Sequence, residues 1–126
     1  MRRLEALADA MMHYSGYGNP DSAAYRTRNP GLLKAFSQRH PRNDEGHRVF
    51  RSFVDGYQAL LYDLEIKCAG KSRSKLAPDS TLVDLMRAYG LPDTQASFVA
   101  KYLKKALLDE SVSAVQPLSY FNEGEL

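Results

Sequence analysis

What this sequence has little of narrows its reading before any motif is sought. It holds one cysteine, Cys68, so no internal disulfide can form, and a lone thiol fits a reducing compartment. No apolar run approaches the ~20 residues needed to cross a bilayer. Glu5 and Asp9 interrupt the stretch after Met1-Arg2-Arg3 that a signal peptide would keep apolar. The expectation is therefore a cytoplasmic chain, leaving the cell only through lysis or a non-classical route. A net charge of +2 is too small to require a polyanionic partner. Internal repeats and low-complexity tracts are absent as well.

What is present suits one folded domain over residues 1–126. Apolar residues make up 44% and charged residues 25%, spread without a segment empty of hydrophobics. Leu4, Leu7, Ala8, Met11 and Met12 keep the spacing of one helical face, and Gly16 is placed to end that helix. Residues 17–31 carry Gly18, Pro20, Pro30 and Gly31 with Asn19, Asp21 and Asn29, the chemistry of a structured loop. Leu32–Phe36 and His47–Phe53 read as two short strands, joined by a polar hairpin loop over Ser37–Gly46.

Helices follow. Ser52 and Asp55 are spaced as a capping box ahead of the stripe Tyr57, Leu60, Leu61, Leu64 and Cys68. An exposed linker, Ala69–Pro78, precedes a short helix capped by Ser80 or Thr81, with Leu82, Leu85, Met86 and Tyr89 inward and Gly90 as its stop. Asp93 or Thr94 opens the last helix, whose stripe runs through Phe98, Val99, Tyr102, Leu103, Ala106 and Leu107. Val112, Val115, Leu118, Tyr120 and Phe121 give the tail enough apolar surface to dock.

Three segments carry a family likeness: Ser15-Gly16-Tyr17-Gly18, Arg28-Asn29-Pro30-Gly31-Leu32, and Phe50-Arg51-Ser52-Phe53 followed by Gly56-Tyr57-Gln58-Ala59-Leu60. In this order they resemble the landmarks of small bacterial and phage lysozyme-like domains, over about residues 7–107. The resemblance implies an α+β fold, mainly α, with a small β-hairpin lobe, and peptidoglycan as ligand. It also implies that the general acid stands just before Gly16. Here that residue is Ser15, and a serine hydroxyl supplies no proton near neutral pH.

Glycoside hydrolysis ordinarily uses two carboxyl groups, one to protonate the leaving oxygen and one to activate water or stabilise the cation. Asp21 and Glu45 are the replacement carboxylates to consider. Each has a plain structural reading too, since Asn19-Pro20-Asp21 makes a turn and Asp44-Glu45 sits beside Arg42 and Arg48 as a solvated pair. Tyr17, Tyr25 and Asn29 are the candidate ligand-binding residues, suited to sugar faces and hydroxyls, although aromatics more often fill a core.

His13, His40 and His47 lack the spacing of a zinc site, and no metal or cofactor is expected. Lys71, Arg73, Lys75, Lys101, Lys104 and Lys105 have no aromatic residues interleaved, so a solvated face is expected and nucleic acid is not. Three functional expectations stand together. The first is a degenerate lysozyme-like domain that binds a glycan or serves as a structural adaptor. The others are an active muramidase with a replacement acid, and a protein-interaction module unrelated to glycans.

Overall fold

The computed structural model describes residues 2–34 and 40–122, and they are mainly helical. Five α-helices occur in the order α1 (Arg3–Tyr14), α2 (Ala23–Arg26), α3 (Phe53–Cys68), α4 (Leu82–Ala88) and α5 (Thr94–Leu107), and a 3₁₀ turn (Leu118–Phe121) closes the chain. The described chain divides into two compact units, one made of Met1–Ala10 with Asp63–Leu126 and the other of Met11–Tyr62.

In the unit containing both chain ends, α4 starts where Thr81 accepts a hydrogen bond from the Asp84 amide while the Asp84 carboxylate accepts from the Thr81 amide. This reciprocal box satisfies two donors that a helix start otherwise leaves unpaired. The amides of Leu82 and Val83 donate instead to the carbonyls of Gln116 and Ala114, so the tail is stitched to the front of α4. Leu118 and Phe121 are buried there, and the apolar tail docks as its composition requires.

The start of α5 differs from expectation. Asp93 makes no capping bond. Its carboxylate takes a two-pronged contact from Arg87 at 2.8 and 2.9 Å, a geometry only a guanidinium offers. The inward face of α5 is Ala96, Val99, Ala100 and Leu103, while Phe98 is 52% exposed. The buried face therefore runs from Val99 toward Ala100 and Ala96 rather than toward Phe98.

Asp63 sits within a second polar knot of this unit. It accepts from Lys67 Nζ at 2.6 Å and from the Tyr89 hydroxyl, and the Lys67 ammonium lies 5.0 Å from the Tyr89 ring centre. Burial, with Asp63 beside it, holds the Tyr89 phenol well above its ordinary range. Burial likewise pushes the Cys68 thiol up to about 12, the behaviour of a core cysteine rather than a reactive one.

In the other unit the two expected strands are not found among the described residues. Leu32 has φ +51°, in the left-handed region, which breaks an extended run at its first residue. Phe36 lies outside the described residues. The segment from His47 forms one antiparallel bridge, Arg42 with Arg48, and the Arg48 amide also donates to the Leu33 carbonyl at 2.8 Å. A tight turn closes it: Asn43 Oδ1 accepts from the amides of Glu45 and His47, and Gly46 takes φ +87°. Phe53, expected to end a strand, begins α3, with Ser52 Oγ accepting from the Asp55 amide.

Two outcomes test this account. Leu103→Ala should cost about 2–5 kcal/mol, the range for an emptied leucine site, and exposed Lys105→Ala about 0.5 kcal/mol or less. Equal losses in urea would mean that α5 is turned otherwise. Hydrogen bonds from Ser111 Oγ, the Tyr120 hydroxyl and the Ser111 amide pull Asp109 from 3.8 down to about 2. A depressed carboxyl stabilises fully above its unfolded value and loses that contribution as pH falls through the folded one. The urea-midpoint gap between parent and Asp109→Asn should therefore be widest above pH 3.8 and close towards about 2.

Candidate functional site

The site belongs to the Met11–Tyr62 unit and begins where α1 stops. Ser15 follows the last turn of α1, its Oγ donating to the Met12 carbonyl at 2.7 Å and its amide to Met11 at 2.9 Å. Gly16 then turns left-handed at φ +87°, which lets the chain leave the helix axis. Asn19 Oδ1 accepts from the Asp21 amide in a local turn, and Ser22 Oγ accepts from the Tyr25 amide to start α2. That single helical turn was missed in the sequence, where four residues of Ala-Ala-Tyr-Arg are too short to show a period.

Beyond α2, Thr27 is buried, and its carbonyl accepts from the Phe50 amide at 2.9 Å. This bond brings Arg51-Ser52-Phe53 beside the loop after α1. Tyr17 rests against both Tyr25, with ring centres 5.5 Å apart, and Phe53, at 5.1 Å. The three rings form part of the wall of an open cavity of about 490 Å³, together with Arg26, Arg28 and Arg51. Tyr17 is half-buried, and Tyr25 and Phe53 are exposed at 47% and 38%. Desolvation raises the Tyr17 phenol, Tyr25 adds to the effect and Arg28 opposes it, so the hydroxyl remains a hydrogen-bond donor at neutral pH.

The candidate residues separate in space. Tyr17 and Tyr25 line the cavity. Asn29 is fully buried, its side-chain amide donating to the carbonyls of Leu33 and Arg48 and accepting from the Leu33 amide, each at 2.9 Å. Asp21 is exposed in its turn and lines none of the described cavities. Glu45 lies in a second cavity of about 310 Å³, with Asp44, Arg26 and Thr27 among its walls. Among the described residues no aspartate or glutamate lines the aromatic cavity.

Arg26, Arg28, Arg51 and Phe53 were not among the sequence candidates. Arg28 was visible as the first residue of the Asn-Pro-Gly segment, and Arg51 and Phe53 lay within another quoted segment. Only the fold joins them, because Arg28 and Arg51 are 23 positions apart. Arg28 is held at φ +53°, and its carbonyl oxygen approaches Gly56 so closely that a Cβ there would stand 2.0 Å from it. A side chain at position 56 would thus force apart the loop and α3, and glycine is required.

Among the described residues no cluster of three or more His, Cys, Asp or Glu side chains could hold a metal ion, and no helix is long and apolar enough to cross a membrane. No protein-family model, curated protein or solved structure matches the chain significantly. Chemically, the aromatic cavity can stack on a ring and hold negative charge, but it offers no carboxyl group for proton transfer.

The buried amide network sets a test. Asn29→Ala removes the partners of the Leu33 amide and the Arg48 carbonyl, and unsatisfied buried groups cost about 1–3 kcal/mol each. A destabilisation of about 2–5 kcal/mol in urea is expected on that basis. A loss within about 0.5 kcal/mol, the range of an ordinary surface change, would show that the amide does not hold this unit together.

Proposed function

We propose that this chain is a degenerate lysozyme-like domain, with a small hairpin lobe around Arg42–Arg48, that binds a glycan of the peptidoglycan type without cleaving it. What supports the reading is one arrangement. A serine occupies the end of α1 where the resembled family would carry its acid, and the loop that follows leads directly to an aromatic-walled cavity without a carboxylate. Stacking on a sugar face needs aromatic surface and no proton transfer, so binding survives the loss of the acid while hydrolysis by the usual route does not.

A second reading has one observation in its favour. Asp44 and Glu45 share a cavity with Arg26 and Thr27, and two carboxylates near a sugar cleft are the raw material of a muramidase. Glu45 would serve there as the replacement acid. Glu45 is exposed to solvent, whereas the charge development of glycoside cleavage is best served in a site that excludes water.

Titrating soluble peptidoglycan fragments while following backbone amide shifts separates these readings. Glycan binding predicts shifts clustered at Tyr17, Tyr25 and Phe53, and about tenfold weaker binding in Tyr17→Ala, the scale of one lost stacking ring. Absence of shifts at about millimolar fragment, a weak-binding limit, would remove the glycan reading and favour a protein-interaction module. Turnover by the parent chain that disappears in Glu45→Gln would establish the second reading. Ser15→Glu should gain turnover above the parent; a folded variant with unchanged background would count against the family placement.

A further inference from the structure

We infer that the ligand of the Tyr17–Tyr25–Phe53 cavity is an acidic saccharide, its carboxylate held by the guanidinium groups of Arg26, Arg28 and Arg51. The inference rests on the glycan-binding reading for the ring and adds to it the charge of the ligand.

The charge distribution carries it. The chain has 17 basic and 15 acidic residues, so a random surface patch would mix the signs. Among the described residues this cavity has three arginines and no acid in its wall. Several other arginines are engaged: Arg87 grips Asp93 at 2.8 Å, and Arg3 lies 4.0 Å over the Tyr120 ring and donates to the Tyr120 carbonyl. Arg48 is buried and donates to the carbonyls of Lys34 and His40. Among the described residues no carboxylate lies within 4.0 Å of Arg26, Arg28 or Arg51. Arg26 Nε and Arg28 Nη1 each touch one backbone carbonyl at a long 3.4 Å, which leaves most of their donors for a ligand.

Bringing three like charges to one cavity is unfavourable, and an anion placed among them removes that repulsion. Guanidinium groups match a carboxylate in the two-pronged geometry seen at Arg87–Asp93. The backbone of Arg28 is also held in a strained left-handed conformation, sealed against Gly56. Such strain persists where the surroundings enforce it, commonly at ligand sites. The rings beside the arginines supply the flat apolar surface that a sugar face needs and a simple inorganic anion does not. A cavity of about 490 Å³ suits one or two rings rather than the long basic track of a nucleic-acid strand.

The test uses the full chain and amide shifts, with peptidoglycan fragments bearing free carboxylates, the same fragments amidated, neutral N-acetylglucosamine oligomers, inorganic phosphate and oligothymidylate as probes. The acidic fragment should bind about tenfold tighter than its amidated form, and about 1 M salt should erase the difference by shrinking the Debye length to ~3 Å. Arg51→Gln, a change of an exposed side chain, should remove most of that preference, and Arg26→Gln serves as the second variant. Equal affinity for acidic and amidated fragments would overturn the carboxylate assignment and leave the glycan reading standing. Phosphate shifts at the arginines with no response to any saccharide would overturn the glycan reading instead. Oligothymidylate displacing the acidic fragment at equal concentration would overturn the assignment to a saccharide.

Discussion

Two carbonyls and one amide from separate stretches of the Met11–Tyr62 unit converge on the buried side chain of Asn29. Leu33 and Arg48 are 15 positions apart, and both of their carbonyls accept from the same amide nitrogen, while the Leu33 amide returns a bond to Asn29 Oδ1. A primary amide can do this because it carries two donors and an acceptor in one plane, which an aspartate or an aliphatic residue of equal size does not. In a segment with little regular structure, such a bond set takes the place of a helix or sheet ladder in satisfying the buried backbone.

The cavity follows from that junction. With 29–33 and 48–50 held together, the Thr27 carbonyl meets the Phe50 amide, and the chain must pass Arg28 in a conformation that glycine would ordinarily adopt. Gly56 makes the passage possible on the α3 side by offering no Cβ. Arg28, Arg51 and Phe53 thereby reach the loop after α1, where Tyr17 and Tyr25 already stand. The same bonds that satisfy the backbone therefore gather positive charge at one place. Among the described residues no carboxylate in that wall neutralises it.

The polar groups of the other unit show the opposite economy. Asp63 is met by Lys67 and Tyr89, Asp93 by Arg87, and Asp109 by Ser111 and Tyr120. Those knots close on themselves and read as structure. The arginine and aromatic wall is left open to a ligand, and an open charged wall beside flat rings is the chemistry of recognition. With Ser15 hydrogen-bonded back into its own helix end, recognition without proton transfer is the function we propose for it.

Helix by helix, local chemistry was legible in the sequence: the α1 stripe ending at Gly16, a cap for α4 at Ser80 or Thr81, the inward Leu82, Leu85 and Met86, and the docked tail follow from spacing, capping and local composition. These features depend on residues within a turn or two of each other. The phase of α5 at Phe98 was not legible, because Phe98 and Ala100 flank Val99 on either side and only the packed neighbour decides which flank the buried face takes in. The expected strands at 32–36 and 47–53 are not found among the described residues, for a related reason. An alternating pattern does not say which stretch a strand-like segment joins, and the Asn43–Gly46 turn favours the nearer partner, as the bridge to Arg42 shows. Asn29 could be singled out by sequence but not assigned its place, since a buried amide and a sugar-binding amide are the same residue until burial is known. The charge of the cavity was wholly a tertiary matter. Arg26, Arg28 and Arg51 are unremarkable one at a time, and electrostatic repulsion among them exists only when the fold brings them to a common wall.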